Sequence, residues 1–111
     1  MSIKIQTMKL NLNEPFLTYT EPSKIWIIDK EKLYQFKFFK NLFNFNKKEI
    51  YQLYEISDKE MELFLDYINN IDNYNIKKLD INEIMLLIKL SDFFMIPNLL
   101  NISVSEFFRK L

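Results

Sequence analysis

Two spacings of hydrophobic residues divide this chain. Through the first dozen residues apolar side chains recur at alternate positions, with one change of parity, and from about residue 30 they recur every three or four. Met8, Leu10 and Leu12 alternate with Lys9 and Asn11, the period of two that a half-buried strand requires. Ile3 and Ile5 lie on the other parity, which predicts a bulge or register change near Thr7. Residues 16–20 and 25–28 are rich in aromatic and β-branched side chains, as strands are. Asn13-Glu14-Pro15 and Glu21-Pro22-Ser23 read as turns. Residues 1–28 are therefore expected to be β-rich, cut by those turns into three extended pieces.

The helical spacing begins with Leu33, Phe36, Phe39 and Phe43, which predicts one amphipathic helix from about Lys30 to Phe43. Asn44 to Lys48 form a polar break, and residues 50–56 return to strand-like composition. Ser57 and Glu60 make a capping box for the next helix. Its expected buried stripe is Met61, Phe64, Leu65 and Ile68, with Glu60, Glu62 and Asp66 outside. After a turn-rich stretch from Asn69 to Asn75, Ile76 and Leu79 suit a short strand or a packed loop. Asp80 or Asn82 can cap a helix striped with Ile84, Leu87, Ile88 and Ser91. Met85, Leu86 and Leu90 make that helix apolar on more than one face, so it should be central. Pro97 suits the first position of a last helix, with Ile96, Leu100, Ser103 and Phe107 inward. The predicted fold is α+β. Residues 1–111 form one domain, a small mixed sheet of three to four strands covered on one side by four to five helices. Residues 1–28 supply the β-rich part, and residues 30–111 the helical part with one strand at 50–56.

Composition narrows the chemistry. Among 111 residues there is no His, no Cys and no Gly. The commonest general acid/base and metal ligand is thus missing, as are a thiol nucleophile, a zinc knuckle and disulfides. A glycine-rich phosphate loop cannot be written. Fifteen basic and fifteen acidic side chains cancel, which removes the case for an electrostatic nucleic-acid binder. Asp58 and Glu62 stand near a helix start, where the helix dipole tolerates acid, and no partner base accompanies them. Neither a membrane span nor a signal peptide is visible. The expectation is a cytoplasmic or nuclear protein, not secreted, without cofactor or metal, not an enzyme, and binding neither nucleic acid nor membrane. Ile, Asn, Lys, Phe and Tyr supply over half of the chain, while Ala is absent and Val occurs once. That bias fits an AT-rich genome, such as that of a large DNA virus, a protist or an intracellular parasite. It also forces Ile, Leu and Phe to fill the core.

The run from Leu86 to Leu100, with Ser91-Asp92-Phe93 and the Ile96 and Leu99 spacing, resembles the signature helix pair of BTB/POZ domains. Ser91 takes the small position usually held by Ala, and Ser103 falls where that family often has Cys. Upstream, Ile56-Ser57 through Met61, Phe64, Leu65, Tyr67 and Ile68 is similar to the family's strand-then-helix unit. Leu33, Phe36, Phe39, Leu42 and Phe43 match its first core helix, in the spacing of the Skp-type and elongin C branch. The resemblance covers about Lys24 to Leu111. It implies binding, not chemistry: an adaptor or decoy at a cullin-RING ubiquitin ligase, with a cullin scaffold or a substrate receptor as protein partner. The family's cullin-contacting region corresponds to Tyr67–Tyr74 and Asp92–Asn98. The sequence begins almost at its first strand and stops at Leu111. It therefore matches neither the N-terminal helix of most BTB homodimers nor the C-terminal helices by which Skp-type adaptors hold F-box partners.

Exposed aromatics near a turn suit an interface, since they bury large areas at little entropic cost. The candidate partner-binding residues are Tyr67, Ile71, Tyr74, Phe94 and Met95. Tyr67 and Tyr74 can instead cap the core with their rings while their hydroxyls reach water. One helix face cannot bury Phe93, Phe94 and Met95 together, so Phe93 is expected in the core and Phe94 or Met95 outside. Phe38 is the best candidate for another exposed ring, or for contact with the extra N-terminal strand. A double variant, Phe94→Ala with Met95→Ala, is expected to lose cullin capture at nearly unchanged thermal stability. Two other readings stand beside this one. The first is a self-assembling homodimer or tetramer formed through the exposed N-terminal strand. The second is a small-ligand carrier or degenerate enzyme with a closed apolar cavity.

Overall fold

The structure, a computed structural model, describes residues 1–11 and 18–111, and side chains within these except at 9–11 and 18–23. Strand β1 (Ser2–Asn11) pairs antiparallel with β2 (Thr18–Asp29) and parallel with β3 (Ile50–Leu53), giving the order β2-β1-β3. Alternation along the strands sends Ile5, Thr7, Trp26, Ile28, Tyr51 and Leu53 to the buried face. Lys4, Gln6, Ile25, Ile27 and Gln52 lie on the other parity. The ladder shifts between Thr7 and Met8, where Lys24 pairs with Thr7 but Pro22 with Met8. This is the expected bulge: it returns Met8 to the buried parity. Glu21-Pro22-Ser23 is therefore not a turn but the bulged part of one continuous strand, because the extra residue is absorbed within the ladder. The turn expected at Asn13-Glu14-Pro15 lies outside the described residues.

Among the described residues five α-helices accompany the sheet, so the fold is α+β. The single helix expected over 30–43 is two, α1 (Lys30–Tyr34) and α2 (Lys37–Phe45). Asp29 caps α1 by accepting from the Glu31 N–H at 3.1 Å. Phe36 then turns extended, and the Gln35 side-chain amide donates to the freed Lys32 carbonyl at 2.8 Å. That break lets Leu33, Phe36, Phe39 and Phe43 all enter the core. Strand β3 is shorter than expected because Glu55 takes a left-handed φ of 69°. Its carbonyl accepts from Lys89 Nζ at 2.6 Å.

Helix α3 (Asp58–Asn69) begins with the predicted capping box, formed reciprocally by Ser57 and Glu60. Glu60, expected outside, is only 2% exposed. Its reach back to Ser57 draws the carboxylate inward, and Lys89 Nζ at 3.1 Å compensates the charge. Helix α4 (Ile81–Phe93) is capped by Asp80, in a second box with Glu83. It is central as expected: Ile84, Leu87, Leu90 and Ser91 are buried, although Met85 is exposed. Between α3 and α4 the expected strand or loop is a pair of 3-10 turns, Ile71–Asn73 and Ile76–Lys78.

Helix α5 (Pro97–Arg109) starts with Pro at its first position. Its buried face is Leu99, Ser103 and Glu106, rotated from the expected one, because it packs chiefly on α4 across a tight turn. Leu100 and Phe107 are half-buried. No helix among the described residues is long and apolar enough to cross a membrane.

Thr7 stitches the sheet to α3. Its hydroxyl accepts from Trp26 Nε1 at 3.3 Å and meets the Asp58 carboxylate at 2.5 Å. The Ser103 hydroxyl, in contrast, is buried without a partner among the described residues. A buried, unsatisfied hydroxyl costs roughly 1–3 kcal/mol of desolvation. Ser103→Ala is accordingly expected to raise the unfolding free energy by about 1 kcal/mol in urea titrations. A loss of that size would show that the hydroxyl has a native partner.

Candidate functional site

The connector from α3 to α4 builds an open recess that involves several of the predicted site residues. Helix α3 ends where the Asn70 N–H donates to the Tyr67 carbonyl at 3.1 Å and the Asn70 side chain donates to the Asp66 carbonyl at 2.9 Å. The chain then bends through its two 3-10 turns. Tyr67 is buried and its ring touches that of Phe36 at 6.5 Å. Tyr74 is half-buried and meets Tyr67 edge to face, with centroids 5.2 Å apart and planes at 88°, a favoured aromatic geometry. Lys78 pairs with Asp66 at 2.7 Å and holds the connector against α3. Both side chains are well exposed, so the pair fixes geometry more than it stabilises. At the far end Lys110 Nζ donates to the Lys77 carbonyl at 3.2 Å, tying the connector to α5.

Against this connector the first turns of α5 close an open pocket of about 490 Å³, lined chiefly by Gln35, Tyr67, Ile71, Tyr74, Asn98 and Ile102. Three of the five predicted residues, Tyr67, Ile71 and Tyr74, thus come together. Ile71 and Ile102 expose about two-fifths of their surface, 37% and 42%. The floor is aromatic and aliphatic and the rim is amide and carboxylate, the anatomy of a protein interface. Asn98 falls at the end of the segment marked out by the resemblance. Ile102 and Gln35 were missed. The spacing of four between Asn98 and Ile102 puts them on one helix face. That spacing is legible in the sequence, but it lies off the expected α5 stripe of Ile96, Leu100, Ser103 and Phe107.

Burial is what perturbs the phenols. Desolvation raises the Tyr67 pKa above its ordinary value. Tyr74 is raised further: by burial first, then by the carboxylates of Asp66 and Glu83, and then by Tyr67. The Tyr74 hydroxyl has no hydrogen-bond partner among the described residues.

Phe94 and Met95 do not join this pocket. Phe94, expected to face a partner, is fully buried. Its ring centroid lies 4.8 Å from those of Phe39 and Phe64 and 5.2 Å from that of Phe38. It is Phe93 that is half-buried. Phe38, expected outside, packs on Phe39, Phe93 and Phe94 and is half-buried too. The reason is the phase of α4 and the way it ends: Phe94 falls three residues after Ser91 and four after Leu90, on the buried stripe of the helix. Ile96 N–H donates to the Ser91 carbonyl at 2.8 Å and Met95 N–H to the Asp92 carbonyl at 3.1 Å, the paired bonds of a Schellman turn. Met95 takes the left-handed position at φ 54°. That reversal turns the chain after Phe94 and leaves Met95 53% exposed. Glycine usually fills this position, but the sequence has none.

Compared with protein-family models, curated proteins and solved structures, the chain matches none.

The burial of Phe94 reverses the expectation for its truncation. Phe94→Ala should cost about 3–5 kcal/mol, whereas Met95→Gly should hold or raise stability by about 1 kcal/mol, since it relieves a left-handed residue. Paired urea midpoints test both, and the idea fails if Phe94→Ala is benign. The raised Tyr74 pKa gives a pH prediction. The unfolded chain ionises this phenol near pH ~10, while the folded chain keeps it protonated. The stability contribution is therefore whole below that pH and lost as pH rises above it. Tyr74→Phe should flatten the alkaline fall in urea midpoint and remove the latest step of tyrosinate absorbance.

Proposed function

We propose that this chain is a protein–protein interaction module of the BTB/POZ or Skp-like type that serves as an adaptor or decoy at a cullin-RING ubiquitin ligase. The observation that carries the reading is the meeting of Tyr67, Ile71 and Tyr74 with Asn98 and Ile102 around one open pocket. By resemblance the family's cullin-contacting region corresponds to Tyr67–Tyr74 and Asp92–Asn98, which include all of these residues except Ile102. The α+β arrangement, with an antiparallel strand pair, a parallel third strand and a terminal pair of packed helices, supports the same reading.

The mechanism is burial of an apolar side chain of the partner. Ile71 and Ile102 form the two sides of the recess, and the tyrosine pair supplies a rigid floor that loses little entropy on binding. Asn98, Asp72 and Asn73 supply donors and acceptors at the rim and so orient the incoming segment. Phe94 acts only from below, by holding the end of α4 in place.

Calorimetric titration with a cullin scaffold tests the proposal. Wild type should bind, and Ile71→Asp with Ile102→Asp should weaken binding at least tenfold while the thermal midpoint stays within about 2 °C, as expected for exposed positions. A wild-type chain that binds no cullin, or a double variant that binds equally well, refutes it.

A further inference from the structure

Strand β2 carries a second, independent surface. Among the described residues it pairs with β1 alone and forms an edge of the sheet. The direction of its free backbone groups follows from one bond. Lys30 N–H donates to the Met1 carbonyl at 2.9 Å, and this pair continues the register of Ser2 with Asp29. Directly bonded pairs alternate along an antiparallel ladder. Lys24, Trp26, Ile28 and Lys30 therefore aim their backbone groups at β1, and Ile25 and Ile27 aim theirs away from the sheet. The side chains of those same two residues are 45% and 69% exposed. Edges in monomeric proteins are usually blunted by a charge or a proline. Here the middle of the edge holds two exposed isoleucines whose donors and acceptors also point outward.

We propose that a second copy of this chain pairs antiparallel with β2 about a twofold axis at Trp26, so that Ile25 of each copy bonds Ile27 of the other and two three-stranded sheets become one. The occupant follows from self-complementarity. A strand whose free groups sit on Ile25 and Ile27 is matched, two residues for two, by the same strand reversed. This register sets β-branched side chains against each other on the outer face, a favourable cross-strand pair. On the inner face Trp26 meets Trp26, and Lys24 meets Ile28. Charge and backbone exclude the neighbouring registers that keep the faces aligned. A shift of two residues in one direction opposes Lys24 to Lys30 and Ile25 to Asp29. The opposite shift runs the pairing into the bulge at Ser23 and into Pro22, which has no N–H to donate. The contact is short, at the small end of specific interfaces. It involves none of the residues of the α3–α4 pocket, and it stands or falls apart from cullin binding.

Sedimentation equilibrium over a concentration series reads the proposal directly. The weight-average mass should rise from 13.6 kDa toward twice that value. Ile25→Lys with Ile27→Lys should weaken association at least tenfold while the thermal midpoint is kept. A mass fixed at 13.6 kDa at every concentration overturns the proposal, and so does a double variant that associates as wild type does. Because the chain has no Cys, introduced thiols report the register. Directly bonded partners stand about 5.5 Å apart at Cα, within disulfide reach, and diagonal ones about 7–8 Å apart. Ile25→Cys with Ile27→Cys should therefore oxidise to a covalent dimer, and neither single substitution should. Efficient crosslinking by one single variant, or none by the pair, refutes the stated register.

Discussion

The packing of one ring, Phe94, against phenylalanines from α2 and α3 is the constraint on which the helical half depends. Phe39 and Phe64 approach it to 4.8 Å between centroids and stack on each other at 5.7 Å. Each such pair adds about 0.5–1.5 kcal/mol beyond area burial. With no Ala and one Val, the helices cannot close on small residues alone, and the gap between them is filled by rings. Seating Phe94 fixes where α4 stops. The stop forces Met95 into a left-handed turn that the chain, lacking glycine, makes at some strain. That turn sets the start of α5, and hence the position of Asn98 and Ile102 beside the tyrosines.

Charge plays a local part in a chain of zero net charge. Lys89 reaches across from α4 to the Glu60 carboxylate and to the Glu55 carbonyl, pinning the loop where β3 gives way to α3. A carboxylate taken from water this far seldom adds net stability. Its value here is positional, since the same Glu60 completes the capping box of α3. Thr7 does comparable service between the sheet and α3 through Trp26 and Asp58. The helices are thus registered on the sheet by two polar contacts and held there by the aromatic cluster.

The two proposed surfaces differ in kind. The pocket is a side-chain recess, in which shape and a few rim amides would select the partner. The β2 edge is a row of backbone groups flanked by isoleucines, in which direction and register would select a second copy. A chain using both would present its pockets in pairs and gain effective concentration at a multivalent partner.

Periodicity alone determined the α+β class, the bulge after Thr7, the capping box at Ser57 and Glu60, and Pro97 at the head of the last helix. Each rests on neighbours in sequence: strand parity, a side chain reaching three residues on, a ring that fixes φ. It also marked Tyr67, Ile71 and Tyr74, because a turn rich in Asn and aromatics is a local signal. The spacing from Leu87, Leu90 and Ser91 also points to Phe94, but only the tertiary structure decided that Phe93 is half-buried against Phe38 and that Met95 turns left-handed. The same holds for the break at Phe36, the burial of Glu60 opposite Lys89, and the rotation of α5 that brings Ile102 to the pocket. Those outcomes depend on partners that lie far away along the chain, and hydrophobic spacing carries no information about distant partners.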